Sequence, residues 1–217
     1  MITLPLFPLN TVLFPGMPLS LHIFEERYKT MIGRCLEAKE PFGVVLIRNG
    51  MEALGPLAEP HSIGCTAQIT QMQPMNDGRM NILAIGHERF QIASLSRALP
   101  YLVADVEILP PKDDDSADIM PLARQLRPWI VRYLGLLAEA DDIQFDFQQL
   151  PKNAMALTHL AAYLLQIPPE DKQELLTMNS AVELTQRILA TYRREIIVLR
   201  AMLEHESDSE DGPFSLN

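Results

Sequence analysis

The stretch that decides the fold is residues 1–28, Met1-Ile-Thr-Leu-Pro-Leu-Phe-Pro-Leu-Asn-Thr-Val-Leu-Phe-Pro-Gly-Met-Pro-Leu-Ser-Leu-His-Ile-Phe-Glu-Glu-Arg-Tyr28. It holds two short apolar runs, Leu4–Leu9 and Val12–Phe14, punctuated by prolines at positions 5, 8, 15 and 18. Because proline fixes φ and lacks the N–H that a sheet ladder needs, we expect edge strands and turns here. A helical pattern begins at Ile23, and we expect one helix over about Phe24–Ala38.

The composition is that of an ordinary globular protein. The chain has 217 residues, of which 47% are hydrophobic, so it can bury a sizeable core. Its longest apolar run is far below the roughly 18 residues that a membrane span needs. No basic segment precedes the N-terminal apolar part, as a secretory signal would require. Two cysteines, Cys35 and Cys65, are too few for a disulfide framework. These features predict a cytoplasmic protein that does not associate with membranes.

The negative charge is concentrated in the second half of the chain. The formal net charge is −10. Residues 1–112 hold 9 Lys and Arg against 10 Asp and Glu, a net of −1, and residues 113–217 hold 9 against 18, a net of −9. An acidic surface repels phosphates, so the composition disfavours nucleic-acid binding. The near-neutral first half leaves room for a local basic patch.

The first half has the pattern of short strands separated by turns. Residues 42–47 are continuously apolar, as in a strand buried on both faces. Apolar and polar residues alternate over 65–70, and Asn76-Asp77-Gly78 has the composition of a hairpin turn. A strand follows at 80–85, Gly86 is expected to end it, and further strands are predicted from Phe90 and over 101–109. Several short strands favour a small, distorted barrel.

The second half has helical periodicity. The segment Pro110–Ser116 combines two prolines with three aspartates and is interpreted as a linker. Apolar residues then recur at intervals of three and four. Pro128 lies inside the first such pattern, so we expect a kink or a break into two helices there. Further helices are predicted at three places, which are 154–166, 170–178 and from Ser180 onward, where Ser180 and Glu183 have capping-box spacing.

These patterns predict an α+β chain with three parts. Residues 1–112 form the β-rich domain, which contains one helix. Residues 113–206 form the helical domain. Residues 207–217 are acidic and are predicted to be a disordered tail.

Several motifs occur in an order that resembles a known family. Besides the opening stretch they are Phe42-Gly43-Val44-Val45-Leu46-Ile47, Ile63–Ile69, Asp77-Gly78-Arg79, Gly86-His87-Glu88-Arg89-Phe90, Tyr101–Glu107 and Asp171–Leu176. Their order and spacing resemble the N-terminal domain of the ATP-dependent protease Lon and its free-standing relatives. The likeness extends over most of the chain.

The resemblance implies a fold and a role. The fold is an N-terminal PUA-like β pseudo-barrel with one helix, followed by a C-terminal α-helical bundle. The role is recognition of unfolded or tagged protein substrates, with no catalysis. Cys65 is inserted where the family runs from glycine directly into threonine, and Glu183-Leu184-Thr185 stands where the family has Glu-Arg-Leu. The chain ends where Lon continues into its ATPase and protease domains, so we expect a free-standing binding protein.

The signatures of ATP binding and of proteolysis are not present in the sequence. Gly50 and Gly55 have the spacing of a Walker A loop, but Pro56-Leu57 follows in place of lysine and a hydroxyl residue. Leucine and phenylalanine follow Gly55-Pro56 and Gly212-Pro213, where the Lon protease has its nucleophilic serine. We therefore expect no enzyme activity and no nucleotide cofactor.

The histidines form no complete catalytic or metal-binding set. His22 and Glu25 are three residues apart and have the chemistry of a proton-transfer pair, but no nucleophile is adjacent. His61 and Cys65 lack a second ligand pair at zinc-site spacing, with Cys35 distant in the chain. We expect packing and capping roles for these residues, and no catalytic, cofactor-binding or metal-binding residue is assigned.

Methionines near the predicted hairpin are the candidate binding residues. Flexible thioethers suit surfaces that accept varied apolar segments. The four candidates for peptide binding are Met51, Met72, Met75 and Met80. A proline-marked first strand also suggests a sheet edge to which an extended peptide could add.

The expected partners are unfolded or apolar polypeptide segments and a separate protease or chaperone that receives them. One alternative is a PUA-like RNA-binding module, whose phosphate contacts would come from Arg27, Lys29, Arg34, Arg79 and Arg89. The other alternative is an unrecognised hydrolase.

Overall fold

The computed structural model describes residues 1–52, 55, 57–141 and 150–210, with the side chains of all of these except 139–141 and 204–210. Over the described residues the chain forms six strands and five helices. In chain order they are β1 (Ile2–Leu9), β2 (Pro18–Ile23), α1 (Glu26–Ala38), β3 (Phe42–Asn49), β4 (Glu59–Pro74), β5 (Met80–Ser96), β6 (Leu102–Ile108), α2 (Ile119–Asp141), α3 (Ala154–Leu164), α4 (Pro169–Thr177) and α5 (Ala181–Glu210).

The chain forms two compact units. The first contains Met1–Lys112 together with Ala162–Asn179, and the second contains Asp113–Ala161 together with Ser180–Asn217. The sequence had placed 162–179 with the helical region, whereas this segment packs with the strands. Two buried side chains explain the difference. Arg89 donates hydrogen bonds to the carbonyl oxygens of Leu176 (2.9 Å) and Met178, and Gln173 Nε2 donates to Ile63 O at 2.9 Å.

The strands of the first unit form one mixed sheet. Its order is β2-β5-β4-β3-β1-β6, and β5 also pairs with β6, so the last five strands close into a ring. Only β1 and β3 run parallel among these pairs. Strand β5 pairs with β4 on one side, and on its other side Met80–Ile85 pairs with β2 and Phe90–Ser96 with β6. This sharing leaves β2 at the edge of the sheet.

Apolar residues of several strands fill the interior of this ring. Phe42–Ile47 is buried at every position, as its continuous apolar sequence predicts. A core cluster joins residues from β1, β3, β5 and β6, namely Leu4, Leu6, Val45, Phe90, Leu102, Ala104 and Val106.

Three details of the strand prediction are wrong. The proline-marked first strand is not an edge, because β1 pairs with β3 on one side and with β6 on the other. The apolar run Val12–Phe14 is buried but is not a strand, because Met17 N–H bonds back to Phe14 O at 3.1 Å in a turn. The second strand lies at Pro18–Ile23, where leucine and isoleucine alternate with the more exposed proline, serine and histidine. Gly86 does not end a strand, since β5 continues through it.

The second unit contains α2, most of α3 and α5. Helix α2 continues through Pro128, so the predicted break into two helices is not seen. The Tyr133 and Tyr192 rings meet edge to face at 5.1 Å, and Tyr192 Oη donates to Ala161 O at 2.9 Å. Ser180 Oγ accepts from Glu183 N–H at the start of α5, which is one half of the predicted capping box.

Helix α5 extends to Glu210. The first four residues of the predicted tail, 207–210, are therefore helical. Glycine and proline commonly end helices, and after the start of α5 the sequence has neither before Gly212-Pro213. Residues 211–217 lie outside the described residues. No helix in the described ranges is both long and apolar enough to cross a membrane.

Candidate functional site

Strand β2 has one edge that no other described strand pairs with. Its partner is β5, in a register that sets Ser20 opposite Leu83 and His22 opposite Asn81. Met17 O accepts the N–H of Gly86 at 2.9 Å. Because backbone polar groups alternate in direction along a strand, Pro18, Ser20 and His22 direct theirs to the outer edge. Pro18 has no N–H, so this edge offers two donors, from Ser20 and His22.

A cavity of about 280 Å³ borders β2, and we call it the β2 groove. It is lined by three kinds of residue: the apolar side chains Phe7, Leu9, Leu21, Ile23, Phe24 and Tyr28, the carboxylates Glu25 and Glu52, and the polar residues Ser20 and His22. Phe24 is 44% exposed, which is unusual for a large aromatic side chain. The groove thus combines an apolar wall with a strand edge.

Tyr28 is held rigidly at the floor of the β2 groove. Its ring stacks on Phe7 with centroids 4.1 Å apart, and the Arg27 guanidinium lies 4.7 Å from the ring centroid. Arg27 also pairs with Glu25 at 3.0 Å and donates to Gly55 O at 3.2 Å. Burial is the main cause that raises the pKa of Tyr28, so its hydroxyl stays neutral. These contacts fix the floor before any ligand arrives.

A second cavity, of about 670 Å³, lies on the three-stranded part of the sheet, and we call it the arm cavity. Three consecutive residues from each of three strands line it: Ser20–His22, Gln71–Gln73 and Asn81–Leu83. The two cavities share Ser20, Leu21 and His22. Strand β2 therefore borders both spaces.

The candidate methionines fall in different places. Met72 is 46% exposed and lines the arm cavity, and the sheet register puts Met80 on the same face of the sheet. Met75 lies in the turn between β4 and β5, where its N–H bonds to Arg79 O at 2.8 Å. Met51 lies after β3, next to Glu52 of the β2 groove. The structure brings Met72 and Met80 onto one surface but shows no contact of Met51 with them.

Each cation of the proposed RNA patch has a partner within the described residues. The pairs are Arg27 with Glu25, Lys29 with Glu26 (2.8 Å), Arg34 with the Tyr101 hydroxyl (2.9 Å), Arg79 with Asp77 (2.6 Å), and Arg89 with the carbonyl oxygens at the end of α4. Arg89 is moreover only 4% exposed. Phosphate binding would have to displace these partners, which weighs against the RNA alternative.

Within the described part of the chain, the groups that a hydrolase needs are not assembled either. His22 Nδ1 lies 2.7 Å from Asn81 Oδ1, so its neighbour is an amide and not a nucleophile. Both cysteines are buried, and burial raises the pKa of Cys35 to about 11 and that of Cys65 to about 12. Among the described residues no group of three metal-ligating side chains comes together.

We expect the native thiols to react slowly with Ellman's reagent. Only the thiolate attacks the reagent. At pH 8 the raised pKa of Cys35 leaves roughly a hundredfold less thiolate in the native protein than in an unfolded chain. Burial of the sulfur slows the reaction further. The measurement compares labelling rates of Cys35 in native protein and in denaturant, using Cys65→Ala so that a single thiol is followed. Equal rates in the two conditions would contradict this expectation.

The sequence did not point to the residues that build the β2 groove. Ser20, Phe24 and Glu52 come from β2, the segment before α1 and the loop after β3. The alternation of Leu19, Leu21 and Ile23 with polar residues was a signal for β2. Nothing local in the sequence brings Glu52 close to Phe24, since that proximity comes from the parallel pairing of β1 and β3.

The fold defines a class of protein, a mixed-sheet domain accompanied by helices. The chain belongs to the family of the ATP-dependent protease La (LON) substrate-binding domain, whose model matches residues 3–191.

Similar proteins include whole proteases and isolated domains. The chain is 26% identical over 215 residues to Lon protease of Parabacteroides distasonis, in an alignment that covers 96% of this chain and 26% of the relative. It is 29% identical over 199 residues to Lon protease of Paraburkholderia phytofirmans, covering 90% and 24%. The chain thus spans about a quarter of the length of the curated relatives that it matches.

Two solved structures have the same fold. The Lon N-terminal domain protein from Xanthomonas campestris superposes with a TM-score of 0.66 at 25% identity, covering 88% of this chain and 98% of that one. The N-terminal domain of Mycobacterium avium complex Lon protease gives a TM-score of 0.64 at 20% identity, covering 88% and 97%.

The structure gives physical roles to one of the motifs that carried the resemblance. In Gly86-His87-Glu88-Arg89-Phe90, a Cβ at Gly86 would collide with Phe14 O. Arg89 binds the carbonyl oxygens at the end of α4, and Phe90 is completely buried in the core cluster. Gly86, Arg89 and Phe90 of this motif therefore have roles in the fold.

Proposed function

We propose that this protein binds extended polypeptide segments along the outer edge of β2 and has no catalytic role of its own. It would present unfolded or apolar segments to a separate protease or chaperone in the cytoplasm. The observation that carries the proposal is the unpaired edge of β2 beside the apolar β2 groove. We further propose that the first unit is a PUA-like pseudo-barrel, that the second is a helical bundle, and that the chain first passes from one to the other near residue 112.

Strand addition suits a protein that must accept many sequences. The outer edge of β2 supplies donors from Ser20 and His22, and acceptors from these residues and Pro18. Main-chain hydrogen bonds of this kind depend little on the sequence of the incoming segment. Every other side chain of an added strand would then lie on the same face of the sheet as Leu21 and Ile82.

The exposed methionines support the same location. Met72 lines the arm cavity, which shares three residues with the β2 groove. A flexible thioether can fill different shapes of apolar side chain at low cost. Met72, Met75 and Met80 together form a proposed secondary contact on the β4–β5 hairpin, with Met51 as a further candidate near the groove.

We expect Ser20→Pro to weaken binding of an unfolded, fluorescently labelled protein roughly tenfold, because proline removes one outward N–H and blocks pairing at that point. The β2–β5 ladder is kept, since the polar groups of Ser20 face away from β5. The measurement is fluorescence anisotropy with a reduced, carboxymethylated probe protein.

Ser20→Ala is the matched control, because it removes the hydroxyl and keeps the backbone N–H. It should bind like the wild type. Circular dichroism and thermal melting of both variants check that the fold is intact. Equal weakening by alanine and proline would refute strand addition. No binding by the wild type at tens of micromolar would refute the proposed function.

A further inference from the structure

The β2 groove carries an unbalanced negative charge. Among its lining residues the carboxylates are Glu25 and Glu52, and no lysine or arginine lines it. Arg27 pairs with Glu25 at 3.0 Å and so offsets one carboxylate. Glu52 Oε2 accepts the N–H of Asn10 at 2.7 Å, and Glu52 forms no ion pair with any described residue.

Both carboxylates act on the floor of the groove and not only on its rim. After burial, which is the main cause of the raised pKa of Tyr28, Arg27 lowers this pKa and Glu25 and Glu52 each raise it. Their fields therefore reach the place where a ligand side chain would enter. The exposed ring of Phe24 lies in the same space, and an aromatic face attracts cations.

We propose that the β2 groove selects extended segments in which a lysine or arginine is flanked by apolar residues. This inference rests on the proposed function and specifies its substrate class. The apolar neighbours pack on Leu21 and Phe24, while the cationic end group lies near Glu52. The long methylene stem of lysine or arginine suits such a passage from an apolar wall to a charged rim.

The test uses three labelled peptides that differ at one central residue, which is lysine, glutamine or glutamate, within the same apolar, extended sequence. Fluorescence anisotropy should show the lysine peptide binding roughly threefold to tenfold more tightly than the glutamine peptide. This difference in affinity is the combined effect of a weak ion pair and a cation–π contact. The glutamate peptide should bind most weakly. Added salt should reduce these differences, because exposed charges are screened.

Glu52→Gln is the informative variant, since the amide oxygen can still accept the Asn10 N–H while the charge is removed. It should abolish most of the preference for lysine, measured as the ratio of the affinities of the lysine and glutamine peptides. Glu37→Gln makes the same charge change at an exposed position of α1 that does not line the groove, and it should keep the full preference.

The outcomes separate the two proposals. Equal binding of the three peptides by the wild type would overturn the charge preference and leave strand addition standing. A preference that persists in Glu52→Gln would place the selectivity elsewhere and would also overturn the inference. If none of the peptides binds, the proposed function itself fails, and this inference fails with it.

Discussion

Gly64→Ala should destabilise the first unit by about 3 kcal/mol or more, because an overpacked core must shift backbone and side chains. Gly64 lies in β4, where a Cβ would collide with Val44 O and come within 2.7 Å of both Phe90 Cζ and Val45 Cγ1. One of these atoms belongs to the backbone of β3 and cannot rotate away. The strands would have to separate at the centre of the ring.

Denaturation by urea, followed by far-ultraviolet circular dichroism, gives the free energy of unfolding for this comparison. Gly33→Ala is the matched control, since it makes the same substitution in α1, where the added methyl group meets no atom within 4 Å beyond its chain neighbours and the backbone of its own helix. Alanine favours a helix by up to about 1 kcal/mol over glycine, so this variant should gain stability. A loss in Gly64→Ala no larger than the gain in Gly33→Ala would show that β3 and β4 can adjust.

Arg89→Met should cost about 3 kcal/mol of stability, because it leaves two buried carbonyl groups without their charged donor. Arg89 is 4% exposed, and its Nη1 bonds to Leu176 O at 2.9 Å and to Met178 O. A guanidinium at the C-terminal end of α4 is also favoured by the helix dipole. Methionine keeps the length of the side chain and removes both the hydrogen bonds and the charge.

The position of the effect distinguishes this role from general damage to the core. Amide hydrogen exchange should rise most in α4, with a smaller rise in β3. Arg79→Met is the control, because Arg79 is an exposed residue paired with Asp77 in the hairpin turn, and it should change stability little. If α4 keeps its protection in Arg89→Met, the helix is held by other contacts such as that of Gln173 with Ile63.

The sequence predicted the types of element better than their extents. The continuous apolar run 42–47 predicted a buried strand, and the structure confirms it. The expectation that Gly86 ends a strand is wrong, although a glycine within an apolar pattern usually marks a turn. Here it allows Phe14 O to approach closely, and β5 runs on without interruption from Met80 to Ser96. Local propensity cannot distinguish these two uses of glycine.

The candidate site was predicted in part from residues that share a hairpin. Met72 and Met80 were recognisable because they flank the turn at Asn76-Asp77-Gly78, although their role in binding stays a prediction. The β2 groove was not predicted, because Phe7, Phe24 and Glu52 meet through tertiary structure. An open strand edge is likewise a property of the whole pairing order, and no single segment of the sequence encodes it.

The return of residues 162–179 to the first unit has a consequence for protein synthesis. The last strand ends at Ile108, yet the carbonyl oxygens that Arg89 requires belong to residues 176 and 178. A ribosome adding roughly 5–20 residues per second needs several seconds to cover that interval. During this time the strands exist without α4, and the Arg89 guanidinium has neither of its final acceptors. The nascent chain therefore passes through an interval in which it is itself an incompletely folded polypeptide, exposed to the cell's own folding and degradation machinery.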